Sequence, residues 1–112
     1  MGVRIVDDLA KEREEIDGID REMARLFAAR MRAVGKVAAY KLEQGLPVRD
    51  SEREAAVLEK GAHLVDERLR PYYRSFQKGV MDVACQYQRD FMNEKAAPGE
   101  SGVRSNAGKR RQ

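Results

Sequence analysis

The residues with the most chemical promise are charges standing where a hydrophobic pattern has no place for them. Arg30 falls between Leu26 and Ala33, at a step of the repeat Ile16, Ile19, Met23, Leu26, Ala33, Val37, Tyr40 that should be apolar. A guanidinium held in an apolar stripe without a partner is costly, so the position asks for an anion. Lys41 follows eleven residues later. At ~100° per helical residue it is turned only about 20° from Arg30 and lies about 16 Å further along the axis. Two long cationic side chains leaning toward each other could grip a small dianion. The planar fork of Arg suits a carboxylate, and Lys supplies a point charge with movable donors. Simpler roles stay open. Arg30 could pair with an acid on a neighbouring helix or extend to the surface, and Lys41 could be a solvated cation of a last helical turn, where positive charge is favoured.

Asp50, Arg53 and Glu54 share one face of a helical first turn. Asp50 is a good N-cap, and Ser51 with Glu54 fits the reciprocal capping pattern. The alternative is that this helix start meets a ligand hydroxyl. Gln88 lies one turn after Ala84, on the flank of a third apolar stripe. No His is placed to activate Cys85, so it reads as packing rather than as a nucleophile. His63 is too isolated for a triad or a metal role, and one Cys with one His excludes the usual structural zinc sets. Glu12, Glu14, Glu15 and Asp20 read as a solvated face.

The elements that must carry these residues are helices. Residues 1–7 read as a loose lead-in. From Asp8 to about Glu43 there is no Pro, and apolar residues recur every three or four positions, widened by Phe27, Met31, Val34 and Ala38. Gln44-Gly45-Leu46-Pro47 ends this long helix, because Gly favours the C-terminal cap and Pro forbids continuation. A second helix is expected from Asp50 or Ser51 to about Gly61 or Val65. After a polar connector over 66–70, Pro71 suits the first turn of a third helix. Tyr73, Phe76, Val80, Val83, Tyr87 and Phe91 carry that helix to about Glu94. From residue 95 to residue 112 the chain has little to bury and reads as a disordered tail.

Composition narrows the function classes. With 112 residues the chain is one small domain, 42% hydrophobic and 37% charged with no Trp, a profile of amphipathic helices that bury their stripes by oligomerising. Residues 95–112 carry Lys95, Arg104, Lys109, Arg110 and Arg111 against Glu100, a net +4, so the overall +3 leaves residues 1–94 at −1. The basicity belongs to the tail, and nucleic-acid binding by the domain is not expected. No apolar run is long enough to span a membrane, and the first residues lack a signal-peptide pattern. A single Cys precludes an internal disulfide, and a cytoplasmic protein is the simplest reading.

The ordered set Arg13-Glu14-Glu15-Ile16-Asp17-Gly18-Ile19-Asp20, Leu26-Phe27-Ala28-Ala29-Arg30, Val37-Ala38-Ala39-Tyr40-Lys41 and Pro47-Val48-Arg49-Asp50-Ser51-Glu52-Arg53-Glu54 resembles the all-helical chorismate mutases over about residues 8–92. The stretch from Tyr72 to Gln88 resembles the last helix of that family less closely. The resemblance implies an all-α, three-helix chain in an intertwined homodimer, a cofactor-free isomerisation of chorismate to prephenate, and no metal. It implies that Arg13, from the partner chain, and Arg30 clamp the two substrate carboxylates with help from Lys41. Lys41 and Gln88 would donate to the ether oxygen, Glu54 with Asp50 would receive the ring hydroxyl, and Arg53 would reinforce the anion site. Val37 and Met81 would supply apolar walls. Spacing supports the shared site independently. Arg13 and Arg30 are seventeen residues apart, about 25 Å on one helix, too far for one small ligand. One departure stands out: the family often has Ser where this sequence has Ala84. That keeps open a scaffold acting on 4-amino-4-deoxychorismate or eliminating pyruvate from isochorismate. A larger pathway enzyme could serve as an activating partner. A non-catalytic helical dimerisation module would also account for the stripes, though not for Arg30.

Overall fold

A computed structural model describes the backbone of residues 2–96 and the side chains of residues 8–95. Its elements are α1 (Gly2–Gln44), α2 (Ser51–Ala62), a 3-10 turn (Glu67–Leu69) and α3 (Arg70–Ala96). The fold is all-α, with no strand among the described residues. The lead-in expected over residues 1–7 is instead helical from Gly2. No Pro interrupts the segment, and an Asp inside a helix costs well under ~1 kcal/mol, so Asp7 and Asp8 do not force a start there. Lys95 and Ala96 belong to α3. The rest of the expected basic tail, residues 97–112, lies outside the described residues.

The chain divides into two units, residues 1–33 and residues 34–112. The first is a length of α1. Its large apolar side chains Leu9, Ile16, Ile19, Met23, Leu26 and Phe27 are each about half exposed. The sequence pattern that makes this helix amphipathic therefore leaves a bare stripe along it.

The second unit contains the end of α1 with α2, the 3-10 turn and α3. α1 stops in a Schellman arrangement: Gly45 has φ +69°, Leu46 N donates to Lys41 O at 2.8 Å, and Gly45 N donates to Leu42 O at 3.4 Å. Only Gly enters that left-handed region without strain, and Pro47 then keeps the chain extended. α2 begins at Asp50, whose Oδ1 accepts from Arg53 N at 3.1 Å. The Ser51–Glu54 capping box expected from the pattern is not used, because the cap sits one residue earlier. Asp66 caps the 3-10 turn in the same manner, accepting from Arg68 N at 3.2 Å.

α2 and α3 run antiparallel. Glu54, in the first turn of α2, meets Cys85, while Gly61, near its end, lies against Gln77. A Cβ added at Gly61 would come within 2.0 Å of the Gln77 amide oxygen, so the side chain of Gln77 occupies the space a larger residue would need. The core is built mostly from small residues. Ala38, Ala62, Met81, Ala84 and Cys85 are its buried hydrophobic members, and Gln88 is buried with them. Met81, Ala84, Cys85 and Gln88 fall at helical spacing on one face of α3.

Candidate active site

The candidate side chains of the second unit lie on the end of α1, the connector, the start of α2 and the buried face of α3. Lys41 arrives first. It occupies the last turn of α1, half-buried, and the connector folds back onto it. Its backbone oxygen takes the Leu46 N–H, and its Nζ donates to the Val48 carbonyl at 2.6 Å. The same residue thus ends the helix and holds the connector, which restricts an otherwise flexible four-carbon stem.

Two residues beyond that anchor, Asp50 is committed to capping through one carboxylate oxygen. This leaves Glu54 free of capping duty. Its carboxylate turns to Arg49, whose Nη1 lies 2.8 Å from both Oε1 and Oε2. Arg49 Nη2 reaches Asp82 Oδ1 on α3 at 3.6 Å. Cys85 Sγ donates to Glu54 Oε2 at 3.7 Å. The Glu54 carboxylate bonded to Arg49 raises the guanidinium above its usual value. Burial pushes the Cys85 thiol up, against the opposing pull of the Arg49 charge. Cys85 therefore stays a protonated donor at neutral pH and not a nucleophile.

Gln88 closes the α3 side. It is 6% exposed, and its Oε1 has no hydrogen-bond partner. A buried acceptor left unmatched costs roughly 1–3 kcal/mol, a cost that a bound molecule can relieve. Met81 and Ala84 lie on the same buried face, whereas Val37 is 46% exposed. Ala84 brings no hydroxyl to this surface. Arg53 is exposed, and its side chain makes no ion pair among the described residues. Arg13 and Arg30 lie in the first unit, both exposed on α1.

Of the residues singled out in the sequence, the second unit holds Lys41, Asp50, Glu54, Met81, Ala84 and Gln88 in the α1 end, the α2 start and the α3 face just described. Arg49, Asp82 and Cys85 were not singled out for this cluster. A signal for Arg49 existed. It stands one residue before the α2 cap and Glu54 four residues after it, the two positions that meet across a helix start in the hydrophobic staple. Here that contact is ionic. Cys85 and Asp82 could be found only once α3 was docked.

The sequence matches the family described as chorismate mutase type II over residues 12–89. It is 38% identical over 72 residues to the T-protein of Haemophilus influenzae, an alignment covering 55% of this chain and 19% of that protein. It is 40% identical over 58 residues to the bifunctional chorismate mutase/prephenate dehydratase of Buchnera aphidicola, covering 52% of this chain and 15% of the relative. The chorismate mutase of Methanocaldococcus jannaschii is 33% identical over 70 residues, covering 58% of this chain and 71% of that protein. The chain thus spans less than a fifth of the first two relatives and most of the third. No solved structure gave a significant match.

Proposed function

The chain belongs to the type II chorismate mutase family, and from that premise we propose that it rearranges chorismate to prephenate in aromatic amino acid biosynthesis. In this Claisen rearrangement the ether C–O bond breaks as a C–C bond forms within one molecule. No proton transfer is needed. The protein must hold a flexible substrate in its compact reactive conformer and favour the negative charge that grows on the ether oxygen.

Each residue has a role in that scheme. Arg30, with Arg13 of a second copy, clamps the carboxylates. Lys41 and Gln88 donate to the ether oxygen. Glu54 receives the ring hydroxyl with Asp50 beside it, Arg53 adds positive charge, and Met81, Ala84 and Val37 form apolar wall. The observation that carries the reading is the buried Gln88, whose amide oxygen lacks a partner on the α3 face that also carries Cys85, the donor to Glu54. An amide so placed suits a polar ligand and not a packed core.

A homodimer follows from two supports. The bare apolar stripe of α1 needs a cover, and Arg13 and Arg30 are seventeen residues apart on that helix, about 25 Å. A second copy supplies both the cover and the missing arginine. The buried free Cys85 suits a reducing, cytoplasmic compartment. A larger pathway enzyme as partner is suggested by the Buchnera relative, whose name joins two activities in one chain.

The deciding experiment follows chorismate consumption spectrophotometrically with the purified protein and identifies the product by mass spectrometry. Prephenate is expected. Because Ala84 is buried without a hydroxyl, the same assay run with isochorismate and 4-amino-4-deoxychorismate distinguishes the related chemistries. No turnover of the three and no saturable binding of a transition-state analogue would leave a helical dimerisation module.

A further inference from the structure

We propose that Arg49, outside the substrate-facing set above, is a positioning residue that holds Glu54 as the acceptor for the ring hydroxyl and offsets its charge toward a dianionic substrate. The proposal rests on the chorismate reading of Glu54. Four observations support it. Arg49 Nη1 lies 2.8 Å from both carboxylate oxygens, so one donor bridges them and aims the carboxylate toward the connector. The other end of the guanidinium faces Asp82 on α3 at 3.6 Å, which ties Arg49 to the helix opposite. The residue before it is fixed too, because the Val48 carbonyl takes the Lys41 Nζ at 2.6 Å. The contact also does little for the fold: the Arg49 side chain is 43% exposed and that of Asp82 67%, and ion pairs so open to water contribute little stability.

The electrostatic argument completes the case. A substrate with two carboxylates is repelled by any bare carboxylate in its site. Glu54 is needed there as an acceptor, and a guanidinium beside it cancels most of its charge at the distance of the substrate. An ionised carboxylate has about four lone-pair sites. Arg49 sits between the two oxygens and Cys85 approaches Oε2, which leaves an outer lone pair on Oε1 for a hydroxyl. Arg49 on the connector and Cys85 on α3 face this carboxylate; Asp82 lies beyond Arg49, Arg89 acts on Cys85, and Lys41 is bonded to the Val48 carbonyl of the connector.

The test is a double-mutant cycle in the full chain. Arg49→Gln is expected to raise KM for chorismate by about tenfold or more while kcat changes less than about threefold, with Arg49→Lys recovering most of the loss. In a Glu54→Gln background the same Arg49→Gln change should alter KM less than about twofold. An effect of equal size in both backgrounds would mean that Arg49 acts on the substrate directly, and would overturn the proposal; so would unchanged KM in Arg49→Gln. A second readout needs no turnover. A crystal structure of Arg49→Gln should show the Glu54 carboxylate turned from the position that Arg49 Nη1 gives it in the parent protein, and an unmoved carboxylate would also overturn the proposal. If the parent protein leaves chorismate unchanged, the substrate reading fails while the comparison of the two structures still decides whether Arg49 positions Glu54. Far-ultraviolet circular dichroism checks that the variants fold, and Arg49→Met serves in the cycle if Arg49→Gln does not.

Discussion

The chemistry proposed for this chain depends on a few donors held in place before the substrate arrives. Lys41 closes the last turn of α1 and anchors the connector, so its ammonium is presented from a constrained stem. Losing a preorganised donor at a developing negative charge costs on the order of 10²–10³ in turnover. Lys41→Ala should therefore lower kcat at least ~100-fold, and near-normal turnover of the purified variant would count against the mechanism. Gln88 makes a different case. Its buried amide must stay neutral to donate, and a carboxylate there would repel the growing charge until protonated. Gln88→Glu is expected to work only toward low pH, with kcat falling as the new carboxyl ionises. A pH profile matching that of the parent protein, with full activity, would argue that Gln88 does not face the ether oxygen.

At the scale of the elements, two glycines separate backbone strain from steric packing. A Cβ at Gly45 would meet nothing within 4 Å, yet the residue sits at φ +69°. Gly45→Ala should thus cost about 1–2 kcal/mol through the left-handed conformation alone. It should also lower activity, because the turn it distorts carries the Val48 carbonyl to Lys41. Urea denaturation with parallel kinetics reads both effects. At Gly61 the backbone is ordinary helix, and Gly→Ala there would gain about 1 kcal/mol of helix propensity in an open site. The Gln77 amide occupies that space, so Gly61→Ala should destabilise, and adding Gln77→Ala should restore stability to or above its starting point. Equal losses in the single and double variants would show that the α2–α3 contact does not depend on this pair.

For the molecule as a whole, the question is how many chains build one site. Six large side chains of the first unit stand about half exposed, and covering what remains of each is worth on the order of 1 kcal/mol. A second copy that covers them also brings Arg13. If each site takes Arg13 from one chain and Lys41 from the other, Arg13→Ala and Lys41→Ala are each nearly inactive alone, but mixing restores activity. Random exchange makes half of the dimers mixed, each with one intact site, so about a quarter of parental activity should return. No recovery after refolding the mixture would place Arg13 and Lys41 in the site from the same chain. Sedimentation of the parent protein tests the dimer directly.

Much of this was legible in the sequence because it is local. Helix periodicity, the Gly45–Pro47 stop and the start near Asp50 depend on residues within a few positions of one another, and the structure agrees at each. The ordered set from Arg13 to Glu54 likewise indicated the family. What the tertiary structure decided were choices between near-equal local options. Asp50 and Ser51 are both good caps one residue apart, and taking Asp50 released Glu54 for Arg49. Whether Glu54 bonds back to its own helix or outward depends on Asp82 and Cys85, which come from α3 some thirty residues away. Lys41 could have been solvated, and the path of the connector gave it the Val48 carbonyl instead. Periodicity says which face of a helix turns inward. Which partner a polar side chain finds there is set by the elements that pack against it, and only the folded chain brings those together.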